Sequence, residues 1–207
     1  MIKRTMGRSL LTLLVVTGLA GTINDSSISK KERKSGVVIM KETRDDAVNA
    51  TKGLSDAQAN FKATPEKWSV KECMYHIAGA EKLLWTMFEG TMKAPANPEK
   101  RSEIKVTDEQ VVTMIEDRTT KAQAPEPIQP KNTGFNSLTE AVEDFKNSRG
   151  NHIKYLKNST EDLRNHVVQM PFGYIDCYQF LLFMAAHSNR HTQQMNEVKA
   201  DPVFPAK

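Results

Sequence analysis

In the stretch AAHSNRHTQQ, residues 185–194, His187 and His191 stand four residues apart within a run of largely apolar helical character. Imidazoles at that separation share a helix face, with Cβ atoms about 5 to 6 Å apart, close enough for both to serve one ion. Counting by threes and fours collects Cys177, Phe180, Met184, His187, His191, Met195 and Val198, a stripe that should face a core. A second stripe, Cys73, His76, Ala80, Leu83 and Met87, turns His76 inward as well. Buried imidazoles need partners for both ring nitrogens, and clustered ones cannot all be charged. A divalent cation meets both demands, because neutral imidazole is a common metal ligand. The competing reading is that each histidine is an ordinary core residue satisfied by hydrogen bonds, and H-x-x-x-H spacing alone does not choose between the two.

The elements that would position these residues are helical. A sparse apolar stripe over residues 37–61 predicts a first helix, interrupted by Pro65. Ser69 with Glu72 forms a capping box ahead of a second helix, residues 68–90, that Gly90 should end. Five prolines break up residues 91–135, between which Thr107 and Gln110 cap a short helix in TDEQVVTMIEDRTT. So long a connection can carry the chain the length of a bundle and allows the second and third long helices to run parallel. The third helix covers residues 137–159, with Leu138, Val142, Phe145, His152 and Leu156 on one side. MPFGYID reads as a Pro/Gly turn, after which Asp176 caps a fourth helix reaching Lys199. With no convincing strand and no repeat, the expected fold is all-α: a four-helix bundle with a long crossover between helices two and three.

The first 22 residues stand apart. Lys3, Arg4 and Arg8 precede an apolar run from Leu10 to Leu19 and the small residues Gly18 and Ala20, the pattern of a cleaved signal peptide. That run is about half the ~20 residues needed to span a bilayer, so no stable membrane anchor is expected after cleavage. The expected destination is periplasmic or secreted. Residues 23–36, with SKKERKSG at their end, read as a flexible linker, and residues 37–200 as the bundle domain. Removing three basic residues from a chain of 207 residues and formal charge +4 leaves +1, which takes away the main support for nucleic-acid binding.

WSVKECMYHIAGAEKLLW, FGYIDCYQFLLFMAAHSNRHTQQMNEV and APEPIQP together resemble the DinB-like superfamily of metal-binding four-helix bundles, over roughly residues 37–199. The most specific element is one distant histidine combined with H-x-x-R-H. The resemblance implies that His76 from the second helix and His187 and His191 from the fourth bind a divalent metal, most often zinc or nickel. Three imidazoles leave a coordination position open, as in catalytic zinc sites. Water bound there can have its pKa lowered to about 7 and act as a nucleophile, and a thiolate could instead take the same position. Some members of the superfamily are transferases that use cytosolic low-molecular-weight thiols, and export disfavours that chemistry. The leading expectation is a metal-dependent hydrolase acting on an unidentified small molecule. A metal- or ligand-binding protein without turnover and a purely structural bundle are the alternatives, and a homodimer is left open.

Arg190, Arg149 and His152 are candidate pocket residues. Arg190, three residues after His187, could orient an anionic group or simply form an ion pair, while Arg149 and His152 lie on the inner side of the third helix. His166 reads as surface. Cys73 could reach the metal at C-x-x-H spacing but is better read as a small core residue. A disulfide between Cys73 and Cys177 is not expected: at 1.5 Å rise per residue the two lie at least about 13 Å apart along the bundle axis, beyond the Cα limit of about 7 Å.

Overall fold

The computed structural model describes residues 28–120 and 123–206; the signal-like segment falls outside the described residues. The elements in chain order are α1 (Lys30–Thr51), α2 (Asp56–Asn60), α3 (Val70–Lys93), α4 (Asp108–Glu116), α5 (Leu138–Asn158), β1 (Val167–Met170), β2 (Gly173–Asp176) and α6 (Cys177–Lys199). Helices α1, α3, α5 and α6 form the bundle, with α1 and α3 each packed between α5 and α6.

Side-chain pairings give the directions. Along α3, Tyr75 meets Phe135 just before α5, Glu81 meets Arg149, and Trp85 meets His152 and Tyr155, so α3 and α5 run parallel. His76 lies by His191 while Phe88 lies by Phe180, which makes α6 antiparallel to α3. Tyr178 donates to the Glu32 carbonyl at one end and Lys199 to that of Ala50 at the other, so α1 runs with α6. The long crossover from α3 to α5 is therefore what permits two sequential long helices to point the same way.

Residues expected to be a flexible linker are helical from Lys30. Ser29 accepts from the Glu32 amide and Glu32 returns a carboxylate to the Ser29 amide, a capping box within the charged run. Gly36 is buried against Leu156 and Tyr178, where a Cβ would lie 2.9 Å from the Leu156 Cδ2. The close approach of α1 to α5 and α6 thus needs a residue without a side chain. The first helix is also shorter than its apolar stripe: it stops at Thr51, Gly53 turns the chain at φ +70°, and Ser55 with Gln58 caps the separate α2. Gly90 does not end α3, which continues one turn to Lys93.

The expectation of no strand fails at residues 167–176. Val167–Met170 and Gly173–Asp176 pair antiparallel around Pro171 and Phe172, with Val167 opposite Asp176 and Met170 opposite Gly173. Gly173 sits at φ +125°, a conformation that side chains rarely adopt. Strands of four residues are too short for alternation to stand out, but valine, isoleucine and tyrosine suit a pleated half-buried surface. The hairpin delivers Asp176 as the cap of α6, its carboxylate accepting from the Gln179 amide at 2.8 Å.

One guanidinium ties together the starts of three helices. Arg164 bonds Glu32 in the first turn of α1, Asp108 at the start of α4 (2.7 Å) and the Asp176 cap of α6 (2.8 Å), with Tyr178 beneath it at 4.5 Å. Carboxylates at helix N-termini are favoured by the backbone dipoles, and Arg164 neutralises the like charge they would otherwise share. Gly36→Val should cost about 1–3 kcal/mol through overpacking. A urea titration checks this; a variant with an unchanged midpoint would mean that residues 29–36 do not pack as a helix.

Candidate metal centre

The Ser69 box sets the start of α3 and the Asp176 cap sets that of α6, and these two registers bring His76 opposite His187 and His191. Ring centroids lie 5.2 Å apart for His76 and His187, 4.4 Å for His76 and His191, and 4.8 Å for His187 and His191. One nitrogen from each ring lies within 4.8 Å of the other two, and this is the group of chelating side chains that the described residues bring together around one point.

The ring nitrogens are sorted by their partners. His76 Nδ1 donates to the Ile128 carbonyl at 2.7 Å, since a carbonyl only accepts; Nε2 is therefore left with a lone pair. That Nε2 lies 3.3 Å from His187 Nε2. Two nitrogens each about 2.05 Å from one tetrahedral zinc ion would lie about 3.3 Å apart, so the spacing fits a shared cation. His191 Nδ1 is 3.0 Å from Gln194 Oε1, which leaves Nε2 as the ring nitrogen available to the cluster. Imidazole ligands typically have their second nitrogen held in this way.

Burial pushes all three histidines toward the neutral form. It outweighs the Ile128 carbonyl at His76, and together with the neighbouring His76 it brings His187 down to about 3. His191 is lowered well below the usual imidazole range by burial and by the two other rings. Neutral rings are the ones that ligate. Trp68 covers the cluster, its ring 4.9 Å from His76 and stacked 5.9 Å from His191, and Phe183 lies 6.1 Å from His187. On the outer side of the bundle a hollow of about 340 Å³ shares Trp68 with the cluster and is bordered by Glu72, Gln129 and Lys131.

The candidate pocket residues are placed differently from their expected role. Arg149 is fully buried and donates to both carboxylate oxygens of Glu81 at 2.7 Å, to Thr43, to the Met184 carbonyl and to Ser188. His152 bonds Glu81 through Nδ1 at 2.7 Å and stacks flat on Trp85 at 3.8 Å. Both residues therefore build a buried ion cluster rather than line an open pocket. Arg190 donates to the carbonyls of Ile115, Asp117 and Thr120, and so holds the end of α4 and the chain after it onto α6. His166 is half-buried and bonds the Thr91 carbonyl. Cys73 and Cys177 are buried free thiols; burial pushes Cys177 up to about 12 and raises Cys73 further, and Cys73 is not among the converging ligands.

Glu81 is the residue that sequence reasoning missed. The buried face of α3 runs through Cys73, Ile77, Ala80, Glu81, Leu84 and Phe88, one step round from the stripe drawn through Leu83 and Met87, and Met87 is 41% exposed. The available signal was an acid between Ala80 and Leu84 on an otherwise apolar face. Despite its burial, Arg149 and His152 hold the Glu81 carboxyl down to about 2.

A family model for the DinB superfamily matches residues 39–195, most of the chain. The chain belongs to the DinB superfamily. Among its relatives is the uncharacterised protein YuaE of Bacillus subtilis (strain 168), 28% identical over 163 residues that make up 78% of this chain and 95% of YuaE. Among solved structures, YfiT from Bacillus subtilis superposes with a TM-score of 0.57 at 15% identity, covering 84% of this chain and 89% of YfiT. YfiT is described as a probable metal-dependent hydrolase with an unusual four-helix bundle topology. At that identity the likeness establishes a shared fold.

Two outcomes test the electrostatics of this DinB bundle. Glu81→Ala strands a buried guanidinium and should destabilise the fold by about 3–5 kcal/mol, whereas Glu81→Leu combined with Arg149→Met should recover much of that loss in urea titrations. Equal losses in both would contradict the cluster. The unfolded chain protonates its histidines near pH 6.5 while the folded cluster stays neutral, so below about 6.5 the unfolded state binds more protons. Stability of the metal-free protein should therefore fall between pH 6.5 and 5, above the window in which Glu81 releases its contribution, and should fall less in His187→Leu. A flat profile over that window would contradict the lowered values.

Proposed function

We propose that this DinB protein is an exported metal-dependent hydrolase that holds zinc or nickel through His76, His187 and His191 and acts on a small molecule. The observation that carries the reading is the convergence of three neutral imidazoles on one point, two of them with the outer nitrogen already engaged. The description of YfiT as a probable metal-dependent hydrolase supports it. A divalent cation held there would supply Lewis-acid chemistry suited to hydrolysis of an ester or amide.

The chain's own residues supply the surroundings. Trp68 and Phe183 exclude bulk water from two sides of the cluster, which strengthens electrostatic interactions inside it. The hollow lies against Trp68 and has none of the three histidines in its lining, so Trp68 stands between it and the cluster. Export rests on the basic and apolar pattern of residues 1–22, and it sets aside chemistry that depends on cytosolic thiols.

One observation favours a second reading, binding without turnover. The converging group contains no carboxylate among the described residues, and the oxygens of Glu81 are committed to Arg149 and His152, so no general base stands ready beside the histidines. Metal analysis of the purified chain and an ester and amide panel separate the readings. The proposal predicts about one zinc or nickel ion per chain, reduced at least tenfold in His187→Ala, and metal-dependent turnover of at least one substrate class. Metal without turnover of any substrate would favour the binding reading, and a metal-free chain whose stability is indifferent to added zinc would overturn both.

A further inference from the structure

We infer that Arg118, which lies in the crossover just beyond α4, is a positioning residue for the metal centre, acting through Gln194 to fix which nitrogen of His191 carries hydrogen. The inference rests on the metal-binding part of the proposed function.

The contacts form a chain. Arg118 donates through Nε and Nη2 to the two carboxylate oxygens of Glu197, each at 2.7 Å, a bidentate pairing that fixes the plane of the guanidinium. Its Nη1 then points at the Arg190 carbonyl, 3.3 Å away, and at Gln194 Oε1, 3.4 Å away. Gln194 Oε1 is in turn 3.0 Å from His191 Nδ1. An amide side chain by itself would accept either ring state: its oxygen can receive a hydrogen from Nδ1, or, turned over, its NH2 can donate to a bare Nδ1. Arg118 removes that freedom, because guanidinium only donates and would face the NH2 of a turned amide donor to donor. The oxygen must point to Arg118 and His191, so Nδ1 bears the hydrogen and Nε2 keeps the lone pair that faces His76 and His187.

His76 receives the same instruction from the Ile128 carbonyl, which is also part of the crossover. The crossover therefore sets the tautomers of ligands on two different helices. Arg190 closes the arrangement by donating back to the Ile115 and Asp117 carbonyls before Arg118 and to the Thr120 carbonyl after it. Docking of the crossover and readiness of the nitrogens for metal become one event, and by linkage anything that binds the ready state favours the docked crossover.

The test uses the full chain without metal, labelled with 15N at histidine, and reads the two nitrogens of His191 by NMR at pH 7.5. The wild type should show hydrogen on Nδ1. In Arg118→Met the Nδ1 and Nε2 forms should mix, and zinc affinity measured with a competing chelator should fall about 10- to 100-fold. Adding Gln194→Glu to Arg118→Met should restore both, since a carboxylate accepts from Nδ1 without help. Hydrogen on Nε2 in the wild type, or an Arg118→Met chain with unchanged tautomer and zinc affinity, would overturn the inference. So would a double variant no better than Arg118→Met, because that result assigns Arg118 to folding alone. A wild type that binds no zinc yet shows the Nδ1 form would instead refute the metal-centre reading and leave the tautomer assignment standing.

Discussion

Two imidazole nitrogens 3.3 Å apart in a helical bundle need something between their lone pairs, either the hydrogen of one neutral ring or a cation. One is committed to a lone pair by the Ile128 carbonyl behind it, and burial keeps the cluster from gathering protons at neutral pH. The rest of the molecule can be understood as what makes that close approach tolerable. In the metal-free chain a single hydrogen from His187 Nε2 can bridge to His76. A divalent ion replaces that weak bridge with bonds to all three rings, and its binding free energy then adds to folding stability.

Holding nitrogens at that range demands fixed helices, and the fold supplies fasteners at several levels. Arg164 gathers the starts of α1, α4 and α6; Glu81 and Arg149 tie α3 to α5 and, through the Met184 carbonyl and Ser188, to α6 immediately beside His187; Arg190 and Arg118 fasten the crossover across the outside of α6. The buried ion cluster is a costly device compared with an apolar core of similar volume, because desolvation offsets much of the charge attraction. What it offers here is direction: a bidentate guanidinium fixes the rotation of α5 relative to α3 more sharply than leucine packing would. Parallel packing of α3 and α5 follows from the same need, since it sets Arg149 and His152 against Glu81 on the α3 face that also carries His76.

The long helices, the crossover and the three converging histidines were legible in the sequence because each has a local signature: capping boxes at Ser69 and Thr107, the Asp176 cap, and imidazoles at helical spacing on apolar stripes. What escaped depends on tertiary partners. Residues 29–36 are charged and read as solvated, and only the groove between Leu156 and Tyr178 makes their helix and Gly36 necessary. The hairpin strands are too short to show a period of two. Glu81 was lost because the apolar stripe on α3 was drawn one step off, which moved the inward face from Leu84 and Phe88 to Leu83 and Met87. Arg149 and His152 carry an inward-facing pattern, but a pattern does not show their partner Glu81, which turns the expected pocket lining into a closed ion cluster.

The most direct test of a cation shared by His76, His187 and His191 is X-ray absorption at the zinc edge of the zinc-loaded chain. Three imidazoles with zinc–nitrogen distances of about 2.0 to 2.1 Å and one further light atom are the predicted result. A first sphere with a sulfur at about 2.3 Å, or with fewer than two imidazoles, would contradict it.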